Sequence, residues 1–253
     1  MALKSTLSAE ARRAGLLEDA RTSGGVDLVD AATRYDVHPM TIRRDFEFLE
    51  RDGHVRRVRG GVVTVEDDPF TMRQVRNLRA KQVIAAKVLP LIPSGGAIGL
   101  DASTTVCALA EMLPADRTIT AVTNGLVAFD ALSRKSAVQA YLTGGEREEH
   151  NLSLVGHLTQ QAFATFHLDC SIISAMGVHA RSGTSESTLA QAAVKDAMAR
   201  AADRVILAVD ASKLEFHSHV HALTLERVTT LVTDLDPDDG RLDPYRRLVP
   251  EIR

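Results

Sequence analysis

The stretch Pro39-Met40-Thr41-Ile42-Arg43-Arg44-Asp45-Phe46-Glu47-Phe48-Leu49-Glu50-Arg51-Asp52-Gly53 decides how the front of this 253-residue chain folds. Proline suits the first position of a helix, because its fixed φ is already helical and its missing N–H would have had no partner there. At about 100° per residue, Ile42, Phe46 and Leu49 share one stripe spaced for burial. Arg44 and Arg51 stand roughly opposite that stripe with Met40 and Glu47 flanking, and Thr41, Arg43 and Phe48 occupy the shoulders. The helix is expected to run to about Asp52 and to stop at Gly53.

Upstream, Ser8 or a neighbour can cap a first helix carrying Leu16 and Leu17, and Gly24-Gly25 breaks it. Asp27 can cap a second helix, with Asp30 where a capping-box acid would sit and Leu28, Ala31, Ala32 and Tyr35 as its buried face. The turn Asp36-Val37-His38 then leads into Pro39. Two helices joined by a tight turn, the second apolar inside and arginine-bearing outside, form a helix-turn-helix, whose second helix enters the DNA major groove. Downstream, His54-Val55-Arg56-Arg57-Val58-Arg59-Gly60-Gly61-Val62-Val63 mixes apolar residues with arginines and reads as a small β-ribbon, a wing. Pro39, Met40, Thr41, Arg43 and Arg44 are the candidates at the groove. Arg51, Arg56, Arg57 and Arg59 are candidates for phosphates or the minor groove. The bland alternative is a solvated helix face beside a charged hairpin. The turn, the glycine stop and the arginine wing together favour DNA over it.

The overall balance of 30 basic against 33 acidic residues, net −3, argues against nucleic acid only until it is located. Residues 1–81 hold 15 Lys/Arg and 13 Asp/Glu, whereas the remainder holds 15 and 20. Residues 43–59 alone carry six arginines against four acids. Composition is that of a packed protein, 45% hydrophobic and 25% charged. No apolar run is long enough to span a bilayer. The opening MALKSTLSAEARRAG lacks the apolar stretch of a secretory signal, and Cys107 and Cys170 are too few for a disulfide framework or a cysteine zinc site. Cytoplasmic localisation is the expectation. Glu66-Asp67-Asp68-Pro69 reads as a hinge, followed by a polar, helix-prone linker from Phe70 to about Lys87.

From Pro93-Ser94-Gly95-Gly96 onward, short apolar runs alternate with helical patterns, the signature of a parallel sheet with crossover helices. Strands expected at 97–100, 119–122, 138–142, 171–175 and 204–209 end in Asp101-Ala102-Ser103-Thr104-Thr105, Thr123-Asn124-Gly125, Thr143-Gly144-Gly145, Met176-Gly177 and Asp210-Ala211-Ser212-Lys213. Ligands of open α/β sheets bind beyond the carboxyl ends of strands, and helix N-termini there favour anions. Each turn alone is ordinary capping chemistry; five together describe a polar pocket.

At this point the chain resembles the DeoR-type transcriptional regulators. Thr41-Ile42-Arg43-Arg44-Asp45, Leu49-Glu50, Gly53 and Arg57-Val58-Arg59-Gly60-Gly61 match the family's amino-terminal winged helix-turn-helix over residues 8–63. His38 stands where a capping serine is usual, Arg59 where a histidine is usual, and Phe46 where leucine is usual. Residues 75–235 are similar to the family's sugar-phosphate sensor domain, whose fold is that of ribose-5-phosphate isomerase and the coenzyme A transferases. Its D-x-G-T-T pattern falls on Asp101, Ser103, Thr104 and Thr105, with serine for glycine. The T-N and G-G patterns fall on Thr123-Asn124 and Gly144-Gly145, and D-x-S-K on Asp210, Ser212 and Lys213. Lys195 matches the lysine of a V-K-x-x-M helix. The resemblance implies a phosphorylated sugar on the 101–105 turn with Lys213 as countercharge.

The expected fold is α/β. A winged helix-turn-helix (1–65) is followed by a linker helix (66–92) and an α/β sensor domain with a mostly parallel sheet (93–253). The expected function is a DNA-binding regulator, a repressor of carbohydrate genes, acting as a homodimer or homotetramer on a double-stranded operator and modulated by a sugar phosphate. No cofactor and no metal is expected. His217, His219 and His221 would share a face on a strand and suggest zinc, but no carboxylate at ligand spacing supports this, so a loop over the pocket is preferred. Cys107 reads as core. Two other readings stay open. One is an isomerase-like enzyme using Asp101 and Lys213 as acid and base, and the other is a winged helix that contacts protein.

Overall fold

The computed structural model describes residues 8–51, 54–64 and 69–253. The helix stop at Asp52 and Gly53 and the hinge at Glu66-Asp67-Asp68 lie outside the described residues. The chain separates into two compact units, Met1–Asp68 and Pro69–Arg253.

In the first unit, α1 (Ala9–Ser23) starts where Ser8 Oγ accepts the Ala11 N–H and ends at Gly24, whose φ of 74° suits glycine. A three-residue strand, β1 (Gly25–Asp27), leads into α2 (Leu28–Arg34), capped by Asp27 Oδ1, which accepts the Val29 and Asp30 N–H groups. Next come α3 (Pro39–Arg51), β2 (Val55–Val58) and β3 (Gly61–Thr64). The strands form an antiparallel sheet in the order β1-β3-β2, so the expected ribbon gains a third strand. Gly61 permits that pairing: a Cβ there would meet the Val26 carbonyl oxygen at 2.1 Å. Leu16, Ala31, Ile42, Phe46, Leu49, Val55 and Val62 close the core, with the expected inner stripe of α3 at its centre.

The second unit begins with α4 (Phe70–Val75) and α5 (Leu78–Val88). Phe70, Ile84, Ala85 and Val88 are buried in its core, so the segment expected as a linker is packed against the sensor fold. There follow β4 (Ala97–Leu100), α6 (Thr104–Met112), β5 (Ile119–Thr123), α7 (Leu126–Ser133), β6 (Val138–Leu142), β7 (Glu146–Glu148), β8 (Ser153–Val155) and α8 (His157–Ala164). The rest is β9 (Cys170–Ile173), β10 (Gly177–His179), β11 (Gly183–Glu186), α9 (Leu189–Arg200), β12 (Val205–Ala208), β13 (Val220–His221), β14 (Thr230–Val232) and β15 (Glu251–Ile252).

Seven strands form one sheet in the order β15-β14-β12-β9-β4-β5-β6, every pairing parallel. The continuous apolar runs of β4, β9 and β12 fit strands covered on both faces. Ile98, Leu100, Ile172 and Ile206 pack with α5, α6 and α7, while Ile173, Leu207 and Leu231 pack with Phe163 of α8 and with Val194 and Met198 of α9. The result is three layers. From β4 the chain steps outward through β5 to β6, then returns to place β9 on β4's other side. The sheet therefore reverses direction between β4 and β9, which is where ligands of such sheets sit.

Candidate functional site

Pro39, Met40, Arg43, Arg44 and Arg51 are exposed on α3, with Thr41 partly so. Arg43, Arg44 and the wing-tip Arg59 make no ion pair among the described residues. Arg51 lies over the Phe48 ring at 4.7 Å, and Arg13 of α1 over the same ring at 3.9 Å. Arg57 differs from its neighbours: its Nε donates to Glu50 (2.5 Å), its Nη1 to Glu47 (3.1 Å) and its backbone N–H to Glu50 (2.9 Å). It straps the wing to the reading helix. His38 replaces a capping serine in function as well as in place, for its Nδ1 accepts the Met40 N–H at 3.2 Å.

Sequence reading missed Asp45. It lies on the buried stripe of α3, 5% exposed, where Arg12 Nε donates to it at 2.6 Å and Arg13 adds a second contact at 3.5 Å. An acid at the spacing of a core residue, Ile42-x-x-Asp45-Phe46-x-x-Leu49, was the available signal.

In the second unit a cavity opens at the carboxyl ends of β4, β9 and β12. Asp101, Ser103, Thr104, Thr105, Lys195, Asp210 and Lys213, all singled out from sequence, line it. Asp101 shapes its floor: Oδ1 accepts the Ser103 N–H (2.9 Å) and Oδ2 the Ser174 N–H (2.8 Å), which ties the ends of β4 and β9 together. Ser103 Oγ accepts the Val106 N–H and caps α6. Its hydroxyl is therefore used within the fold, and Thr104 and Thr105 follow it into the cavity at the helix N-terminus, where partial positive charge favours anions.

Lys195 Nζ donates to the Ser174 carbonyl (2.7 Å) and to Glu186, with Asp101 at 3.5 Å. Burial raises the Glu186 carboxyl despite Lys195; for Lys195, the lowering effect of burial is outweighed by the two carboxylates, and its pKa rises. Asp101 thus lies beside Lys195 rather than Lys213, its partner in the isomerase-like alternative. Asp210 Oδ1 accepts from Ser212 N–H (3.1 Å), Ser212 Oγ and Asn77 Nδ2 (3.3 Å). The Lys213 backbone N–H donates to the Asp210 carbonyl (2.9 Å), while its half-buried ammonium donates no hydrogen bond among the described residues, and burial lowers its pKa. Lys81 is 4% exposed, and burial lowers it to about 8. The lining holds five cationic side chains, Arg73, Arg76, Lys81, Lys195 and Lys213, against the carboxylates Asp101, Glu186 and Asp210.

Thr123, Asn124, Gly144 and Gly145 do not line this cavity. Thr123 Oγ1 accepts the Gly125 N–H, Asn124 Nδ2 donates to the Leu154 carbonyl, and the Gly144 carbonyl accepts from Thr159. A Cβ on Gly145 would meet Thr159 Oγ1 at 2.2 Å. These residues close the β5 and β6 ends onto β8 and α8. The lining that sequence reading missed includes Glu186 of β11, Arg73, Arg76, Asn77 and Lys81 around α4 and α5, and Asn151 and Gln191 positioned by Glu148. Arginines within a polar helix-prone stretch give no sign of facing inward, whereas Phe70, Ile84 and Val88 were a usable hint of packing.

His217, His219 and His221 are outside the cavity lining, and no metal-binding group of His, Cys, Asp or Glu occurs among the described residues. His217 stacks on His179 at 4.1 Å in a loop before β13. Cys107 is buried, and burial raises its thiol to about 12, in keeping with a core role. No helix among the described residues is long and apolar enough to cross a membrane.

A winged helix-turn-helix followed by a parallel α/β unit with a cationic cavity defines a class, the two-domain transcriptional regulators that bind DNA through the first unit. Within that class the chain belongs to the DeoR family: residues 12–68 match the DeoR-like helix-turn-helix domain and residues 76–235 the DeoR C terminal sensor domain. Its relatives include the L-fucose operon activator of Haemophilus influenzae, 31% identical over 89% of this chain and 92% of that protein. The transcriptional repressor AccR of Agrobacterium fabrum is 32% identical over 90% of each. Among solved structures, ribose 5-phosphate isomerase A from Neisseria gonorrhoeae is matched over 53% of this chain and 52% of that one, at 20% identity and a TM-score of 0.38. The family assignment does not rest on that likeness.

Proposed function

We propose that this regulator is a cytoplasmic repressor of carbohydrate-metabolism genes that leaves its operator when a sugar phosphate occupies the second unit. The observation that carries the reading is Lys213, whose half-buried ammonium group donates no hydrogen bond among the described residues. It stands in a cavity of five cations at the sheet's reversal point. A phosphate dianion supplies the missing acceptor, and the polar lining suits the hydroxyls of a sugar. Thr104 and Thr105 would hold the phosphate, while Asp101, Ser103, Asp210 and Lys195 shape the walls.

In the first unit, Arg43, Arg44 and Thr41 are the proposed base-edge contacts, with Pro39 and Met40 at the groove entrance. Arg51, Arg56 and Arg59 would meet phosphates or the minor groove, and Arg57 would position the wing. A homodimer or homotetramer is proposed because paired half-sites multiply the affinity of a small reading unit. The repressor sense has support in AccR; the fucose operon activator supports the opposite sign.

The sensor is proposed to bind without turnover. Lys195 is held by a carbonyl and two carboxylates, and both Asp101 oxygens accept backbone N–H groups, so neither is presented as an acid or base. A thermal-shift screen of sugar phosphates, with a turnover assay on every hit, tests this. A stabilising ligand that is not converted supports the sensor, whereas conversion would make the protein an enzyme. Operator-sized DNA titrated at two salt concentrations tests the first unit, because phosphate contacts make affinity fall steeply with salt.

A further inference from the structure

One wall of the cavity is the elbow between α4 and α5, and this wall has a special place in the chain. Pro69 opens the second unit, so α4 is the first element after the DNA-binding unit. Two side-chain arrangements tie the elbow to the cavity, and a third braces the elbow itself. Arg73 Nη2 donates to the His150 carbonyl (3.0 Å) and to Asn151 Oδ1 (2.6 Å). Asn77, which makes the bend with a left-handed φ of 51°, donates through Nδ2 to Asp210. Lys81 Nζ donates to the Arg76 carbonyl (2.6 Å) and to the Arg73 carbonyl, at the end of α4, where helix carbonyls lack partners and a cation suits them.

The cavity lining carries five cationic side chains against three carboxylates, and four of the cations lie at or beside the elbow. Asp210 is the strongest charge on Lys81 and Lys213 and favours their protonated forms, while Arg73 and Arg76 beside them work against it. Across the cavity, Thr104 and Thr105 stand at the N-terminus of α6. An anion between α6 and the elbow would relieve that repulsion and bridge the two elements.

The geometry points to the elbow as the part of the effector site that carries the signal: Arg76 and Lys81 contact the phosphate of the effector, and its binding fixes α4 against α6. This rests on the sugar-phosphate reading and names the residues through which occupancy reaches the chain leading to the DNA-binding unit. Neither residue belongs to the strand-end turns from which the site was expected.

Hydrogen exchange of the full chain with inorganic phosphate as the probe, against chloride at equal ionic strength, tests it. At about ten times its Kd, phosphate is expected to slow exchange roughly tenfold in two peptides, one over residues 70–81 and one over 101–106. In Arg76→Gln, protection at 70–81 is expected to disappear at matched occupancy while 101–106 stays protected. Lys213→Gln, in contrast, should weaken both together. Protection of 101–106 alone in the wild type would overturn the inference and leave the anion site standing. Protection of neither would overturn the anion site and the inference with it.

Discussion

Arg44 on the reading helix and Lys81 beside the cavity are both cations, and their surroundings are opposite. Arg44 is exposed and makes no ion pair among the described residues, while Lys81 is 4% exposed and donates to two carbonyls. A solvated guanidinium incurs no desolvation penalty, keeps its charge at any pH near neutrality, and suits a long polyanion that comes to it. A buried ammonium must have fixed acceptors and loses its proton more easily, which suits a small anion that enters and replaces water. The two units thus use positive charge in two ways, and the net −3 of the whole chain describes neither.

The sharpest way to break this contrast is through the buried pair of the first unit. Asp45→Ala leaves Arg12 buried without its carboxylate and should destabilise that unit by about 3–5 kcal/mol. Thermal unfolding followed by exchange in α1 and α3 should show the loss there, with the sheet of the second unit unchanged. A shift under about 1 kcal/mol would mean that the pair is solvated and that the first unit has no interior charge to contrast.

The contrast also predicts a difference in pH response. Lys81 is charged below about pH 8 and neutral above it, and burial pushes Lys213 in the same direction. Sugar-phosphate binding should therefore be strongest below pH 8 and weaken by up to about tenfold between pH 7 and 9, whereas operator binding through arginines stays level. Calorimetry of the ligand and anisotropy of labelled DNA at the two pH values check this; parallel curves would erase the distinction. The smallest effect concerns His38. His38→Ala removes the acceptor for Met40 N–H and should cost about 0.5–1 kcal/mol of first-unit stability, with His38→Ser restoring it. Equal melting of the two variants would show that the imidazole does not cap.

Much of this was legible in the sequence, and the misses share a cause. The inner stripe of α3, the wing and the strands β4, β5, β6, β9 and β12 follow from local periodicity, which survives folding. The strand β1 is three residues long and depends on Gly61 allowing β3 to approach; β14 and β15 are similarly short. Strand-end polar residues were ambiguous. Asp101 and Asp210 turn toward the cavity, while Thr123, Asn124 and Gly144 use the same chemistry to close neighbouring turns. The direction a polar group faces at a strand end is set by the packing beyond it. Arg73, Arg76 and Lys81 read as a solvated linker because only the packing of Phe70 and Ile84 turns them inward.

The division of labour between the two kinds of cation is tested most directly by measuring operator and sugar-phosphate affinity of the full chain in Arg44→Ala and Lys213→Ala. Arg44→Ala should lose about 1–3 kcal/mol per half-site of specific DNA binding and keep its ligand affinity. Lys213→Ala should bind operator like the wild type and lose its response to sugar phosphate. A variant that loses both activities while still folded, or Lys213→Ala that still releases operator on adding the sugar phosphate, would contradict the account.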